Sequence, residues 1–208
     1  MNSSPARHPS DPRRGPKATA GMIVFFLAWA AVVGGFYLWR GTHGNKADLG
    51  TRLQDTSDPK AMQDATIELA ARMKQHDAEA QRWYPTLLKM AESPSTEFRG
   101  MAAWIMANDT SRQEFHDSLL KLAKDTAPSV RANAAVSLDK FKDPVGHQTI
   151  LEMLRPRAAS DELWEALRAM KVVGTRADLP LLAGFEGSSD KRVRDAAKDA
   201  IQGIQDRE

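Results

Sequence analysis

The chain has 208 residues, 42% hydrophobic and 27% charged, with a formal net charge of +2 and no cysteine. That composition belongs to ordinary globular chains of one or two domains, and the missing cysteine excludes disulfides, thiolate metal sites, covalently attached haem, a cysteine nucleophile and a lipoprotein anchor. Arg7, Arg13, Arg14 and Lys17 against Asp11 give the first twenty residues +3, which leaves −1 for the rest; such a balance is poor for neutralising nucleic-acid phosphates.

Residues 1–20 combine Pro5, Pro9, Pro12 and Pro16 with Ser, Arg and Gly, a composition that cannot repay the entropy of ordering and predicts a flexible basic tail. Residues 21–39 carry no charge. At 1.5 Å per residue they span about 28 Å as a helix, close to the hydrocarbon thickness of a bilayer. Lys17 and Arg40 bracket the run, and Tyr37 and Trp39 stand where interfacial aromatics belong. A cleaved signal peptide would be shorter and end in small residues; this run ends Phe36-Tyr37-Leu38-Trp39, which predicts an uncleaved single-pass anchor. Arg7, Arg13, Arg14 and Lys17 precede it, against Arg40, Lys46 and Arg52 after it. This small bias predicts a cytoplasmic N-terminus and a C-terminal domain on the non-cytoplasmic side. Within the run, Ala30 with Gly34 and Ala31 with Gly35 form two small-xxx-small pairs, suited either to homodimer packing of two such helices or simply to contact with lipid.

Residues 40–57 read as a polar linker. From Asp58-Pro59 onward, N-cap and proline signals predict helical pairs. A first helix covers 61–73, and its partner covers about 78–91, with Pro85 either kinking it or marking its first turn. The next pair runs through 98–106 and restarts at Ser111-Arg-Gln-Glu114, a capping-box spacing. The third begins at Thr126 and is followed by Asp143-Pro144 and a helix stopped by Pro156. The fourth runs from Ser160 to Val173, and its partner opens on a second capping box, Thr175-Arg-Ala-Asp178. A lone, highly charged first helix from Ser189 to Ile201 suits a terminal cap.

The first helices share one apolar stripe at i, i+4 and i+8: Phe98, Ala102, Met106; Val130, Ala134, Leu138; Val193, Ala197, Ile201. Leu163, Leu167, Met170 and Ala61, Ala65, Leu69 are looser copies. Steps of 37, 32, 33 and 30 residues between successive stripes indicate a repeat array, because one helical pair cannot bury its apolar face alone. On Val130-Arg131 with Ala134 and Leu138, Val193-Arg194 with Ala197 and Ile201, and Asp125 six residues before Arg131, the segment 58–205 resembles the HEAT-repeat family, and in its short period the HEAT-like repeats first described in phycobilin lyases. Gln63 and Trp164 depart from the pattern where arginine is usual. The resemblance implies an all-α, short right-handed α-solenoid of about four to four and a half helical pairs following the membrane helix. It also implies a curved platform for other proteins, lined on its concave side by second helices.

No nucleophile elbow, zincin motif, phosphate loop or dinucleotide fingerprint occurs, and the five histidines are not at metal-ligand spacing. The sequence therefore predicts no enzyme, no metal and no cofactor. The recurrent Arg99, Arg131 and Arg194 are read as satisfying inter-repeat loops. Trp104 and Trp164 are assigned to the core. Partner contact is assigned to the second helices: Arg82, Trp83 and Tyr84, then Gln113, His116 and Lys121, then His147, Glu152 and Arg155. Trp83 and Tyr84 lead that set because aromatics dominate interface hot spots, although Trp83 equally suits a filler beneath the first repeat. His116 and His147 could approach one another on adjacent second helices. The expected role is a membrane-anchored scaffold binding a protein partner in or at the membrane, with no nucleic acid. A lyase-type accessory role in cofactor or chromophore attachment is the alternative, and nucleic-acid binding comes third.

Overall fold

A computed structural model describes residues 49–54, 59–155 and 158–207. The tail, the apolar run with Ala30, Ala31, Gly34 and Gly35, the N-cap expected at Asp58 and the stop expected at Pro156 lie outside the described residues. Among the described residues every regular element is helical, and no helix is long and apolar enough to cross a membrane.

The helices are α1 (Leu49–Gln54), α2 (Pro59–Lys74), a 3-10 segment (Ala78–Trp83) leading into α3 (Tyr84–Ala91), α4 (Thr96–Met106), α5 (Gln113–Leu122), α6 (Pro128–Lys140), α7 (Pro144–Met153), α8 (Ser160–Val173), a 3-10 turn (Arg176–Asp178) leading into α9 (Leu179–Ala183), and α10 (Lys191–Gln205). The first helices α2, α4, α6, α8 and α10 pack side by side in chain order. Second helices cover one side of that row: α3 lies on α4, α5 on α4 and α6, α7 on α6 and α8, and α9 on α10. This is a stacked α-solenoid.

Small residues let the first helices approach closely. Gly100, Ala102 and Ala103 of α4 face a helix whose own buried positions include Ala132, Ala134, Ala135 and Ser137, and helices with such contacts pack near the short end of the usual range of about 8–10 Å. Two side chains of α6 bond back to α4: the Ser137 hydroxyl donates to the Ala103 carbonyl at 2.8 Å, and the Asn133 amide donates to the Gly100 carbonyl at 3.1 Å. Val130, Ala134 and Leu138 join a core running back to Leu49, while Ala132 and Ala135 join a second core running on to Ile204. Helix α6 is therefore the seam of the stack. The second helices supply bulk between the layers, with Phe115, Leu119, Ile150 and Met153 fully buried.

Four local features differ from the sequence reading or refine it. Helix α1 occupies part of the expected linker: Leu49 and Leu53 are buried, Arg52 pairs with Glu68 at 2.7 Å, and Gly50 lies against the Trp83 ring. Pro85 starts α3 and does not kink a longer helix. The box expected at Ser111 does not form, because the Asp109 carboxylate accepts both the Ser111 hydroxyl (2.6 Å) and its amide (3.2 Å) before the helix begins at Gln113. At Thr175 the Asp178 carboxylate accepts both the backbone amide (2.7 Å) and the hydroxyl (2.9 Å) of Thr175, closing the box expected there.

Candidate protein-interaction surface

The recurrent arginines are used inside the fold. Each donates to the carbonyls six and five residues before it: Arg99 to Ser93 and Pro94, Arg131 to Asp125 and Thr126, Arg194 to Ser188 and Ser189. Two also reach the following repeat. Arg99 grips the Asp125 carboxylate with two bonds of 2.6 and 2.9 Å, and Arg131 meets Glu162 at 2.6 Å. The Arg99 bonds hold the Asp125 carboxyl below the usual carboxylate range. The arginine row thus closes loops and joins repeats.

A second row joins the second helices. The Tyr84 hydroxyl donates to Asp109 at 2.6 Å, His116 Nε2 lies 2.7 Å from Asp143 Oδ2, and His147 Nε2 lies 3.2 Å from Asp178 Oδ1. In each case an aromatic or imidazole ring of one repeat reaches an aspartate at the start of the next second helix. Asp143 and Asp178 already serve as caps there, to the Val145 and Thr175 amides. The Val145 amide, and then His116, hold the Asp143 carboxyl low. Burial, and then the Asp109 carboxylate, push the Tyr84 phenol up to about 12.

These bonds change the candidate set. Tyr84 is buried, 7% exposed, with its ring edge-on to Phe115 at 4.7 Å, and Trp83 packs on the first core and over Gly50. Tyr84 faces inward, because Tyr84, Leu87 and Ala91 form the apolar stripe of α3, while Trp83 is half-buried. His116 and His147 are half-buried and turn to separate aspartates, not to each other. Arg82, Gln113, Lys121, Glu152 and Arg155 are exposed. Arg82 pairs with Glu79, Gln113 donates to Asp117, and Glu152 accepts from Gln148. Lys121 borders an acidic hollow with Glu92, Glu114 and Asp117.

Among the described residues the large exposed apolar side chains are Ile67, Trp104 and Val172 on first helices and Val145 and Leu181 on second helices. Trp104 is 46% exposed and Val172 56%, the reverse of the core position expected for Trp104. At 100° per residue, Trp104 stands about 200° round the helix from Ala102 and again from Met106, so the stripe that buries those two turns the indole outward. Trp104 divides two adjoining hollows over α6. One, of about 380 Å³, is bounded by Glu97, Gly100, Met101, Ser129 and Asn133. The other, of about 280 Å³, lies between Trp104 of α4, Asn133, Val136 and Lys140 of α6, and Glu165, Arg168 and Val172 of α8. Together they form a trough along α6. Trp164 is half-buried on the second core, with the Arg168 guanidinium 4.7 Å above its ring.

Among the described residues no group of three or more His, Asp or Glu could hold a metal ion, and no fully buried side-chain nitrogen or oxygen lacks a hydrogen-bond partner. The stretch from α3 to α8 also has a recognised signature. Residues 84–171 match the family model of HEAT repeats. The matched stretch contains the Arg99–Asp125 and Arg131–Glu162 bridges and all of the trough but Val172. Among solved structures, the chain is similar to a designed armadillo repeat protein (19% identity, TM-score 0.43, 77% of this chain and 82% of that one) and to an engineered protein (21% identity, TM-score 0.45, 77% and 79%). No curated protein matches the chain.

Proposed function

We propose that the chain is a membrane-anchored HEAT-repeat scaffold, an accessory subunit of an envelope or membrane complex, that holds a protein partner on the solvent side of its first helices. The observation that carries this reading is the exposed Trp104 beside the trough, in a domain whose buried polar side chains are satisfied internally. Large exposed aromatics beside an apolar hollow mark contact sites.

Residues 21–39 supply the anchor in this reading, with the repeats on the non-cytoplasmic side. Confinement to a membrane raises the effective concentration of any partner in the same membrane, so modest contacts suffice. Ala30, Ala31, Gly34 and Gly35 would let two copies pair within the bilayer. The exposed Arg82, Gln113, Lys121, Glu152 and Arg155 on the second-helix side are proposed as secondary polar contacts.

The test is crosslinking in native membranes followed by mild detergent extraction. A partner recovered in stoichiometric amount with the wild-type chain, and lost with Trp104→Ser while helical content is unchanged, supports the reading. Recovery independent of Trp104 removes the first-helix face from it. Release of the full chain by alkaline washing, or a reporter fused after Glu208 that is active only in the cytoplasm, would overturn the anchor or its orientation.

A further inference from the structure

The trough has a length, a shape and a charge. Its floor is the outward stripe of α6, Ser129, Asn133, Val136 and Lys140, which at 1.5 Å per residue runs about 16 Å, or three helical turns. One wall is Met101 and Trp104 of α4, and along the second hollow the other is Arg168 and Val172 of α8. Asn133 and Val136 are half-buried between the exposed Trp104 and Arg168, and a recess between such ridges is the shape into which a helix packs its own side chains.

Its charge is uneven. At the C-terminal end of α6 the exposed cations Lys140 and Arg168 face a single carboxylate, Glu165, 3.3 Å from Arg168. Burial pushes the Glu165 carboxyl up, against the pull of Arg168. Glu97 stands apart, at the other hollow. We infer that the occupant of this trough is an amphipathic α-helix of a partner protein, about three turns long, with an apolar stripe on Trp104, Val136 and Val172 and with carboxylates facing Lys140 and Arg168. The inference rests on the reading of the first-helix face as a docking surface and adds the chemistry of what docks. A bilayer surface suits the site less well, since it would strand Asn133 and Glu165 in a recess without water. A second copy would set one trough against another and fill neither.

The test uses the immobilised full chain and a displayed library of 18-residue helical peptides. These share a fixed leucine stripe and are randomised between Glu and Lys at the flanking positions. Wild type is expected to enrich peptides rich in Glu on one flank by tenfold or more over Trp104→Ser bait. The double variant Lys140→Glu/Arg168→Glu, with the trough's apolar walls intact, is expected to enrich Lys instead. Far-UV circular dichroism confirms that each bait is folded. Enrichment that ignores charge, or that favours Lys on wild type, overturns the acidic-helix inference but leaves a Trp104-dependent docking surface. No enrichment over the Trp104→Ser bait overturns the inference for any helical peptide; sedimentation of the folded chain with anionic vesicles in a Trp104-dependent manner then assigns the face to lipid. A native partner still lost with Trp104→Ser would show that the broader reading survives that failure.

Discussion

Tyr84→Phe tests whether the second-helix aromatic faces inward. The substitution removes one oxygen and keeps the ring that packs on Phe115 and lies under the Arg112 guanidinium, 5.1 Å from its centre. A hydrogen bond to a charged acceptor contributes about 1.5–3 kcal/mol. Asp109 retains both Ser111 bonds, and Arg112 stands 3.5 Å away, so no carboxylate is orphaned and the lower figure, about 1.5 kcal/mol, applies. For a folded unit of this size that lowers Tm by about 3–6 °C.

The pH dependence has a definite sign at each end. The folded phenol is raised to about 12, above an unfolded value near 10, so its contribution is complete below pH 10 and is lost as pH climbs toward 12. Burial works to raise Asp109, but bonds from Ser111 and Tyr84 outweigh it and hold the carboxyl low. Its contribution is therefore present above the unfolded value near 3.9 and disappears as pH falls through the folded one. The deficit of Tyr84→Phe should be flat from about pH 5 to 9 and shrink on either side. Urea denaturation across pH measures it. The chain has two tyrosines, so subtracting the variant's tyrosinate absorbance titration isolates Tyr84. A phenol titrating near 10, or a variant as stable as wild type at neutral pH, would refute the inward placement.

Three further substitutions probe the scaffold. At Gly146 a Cβ would lie 2.5 Å from the Ala135 carbonyl and 2.9 Å from the Asp139 amide; overpacking of about 1–3 kcal/mol should outweigh a propensity gain of about 1 kcal/mol. Gly146→Ala is thus expected to lower the urea midpoint, and a raised midpoint contradicts the close crossing of α6 and α7. Lys142 sits at φ 62° in the turn after α6, where the Asp143 amide bonds back to the Leu138 carbonyl. Lys142→Gly should stabilise by about 0.5–1 kcal/mol, and destabilisation would dispute that backbone conformation. Gly50→Ala would place a methyl group onto the Trp83 ring, so α1 should lift away. Faster amide exchange at 51–54 with α6 unchanged is the expected signature, and unchanged exchange at 51–54 removes the contact.

Much of this fold is legible in the spacing of its apolar residues. Val130, Ala134 and Leu138 are fully buried, as are Val193 and Ala197, because a stripe at i, i+4 and i+8 has only one side of a helix to occupy. Helix α1 escaped the pattern: two leucines four apart in six residues make no period, and its order depends on Trp83, thirty residues away. Exposure depends on angle as well as on residue type. Trp83 and Tyr84 look like hot-spot residues, yet Tyr84, Leu87 and Ala91 already mark a buried stripe. Trp104 looks like core, yet its angle from Ala102 turns it outward. The trough itself could not be read from the chain, since it arises where residues of α4, α6 and α8, far apart in sequence, come to line one recess.

Photocrosslinking from the trough floor tests the central claim most directly. Benzoyl-phenylalanine would replace Val136 in one chain and Lys121, on the second-helix side, in another, each expressed in its native membrane, with adducts identified by mass spectrometry. The account predicts one recurrent protein adduct from position 136 that vanishes when Trp104→Ser is added. An adduct from position 121 alone, or one from 136 that persists without the indole, would contradict it.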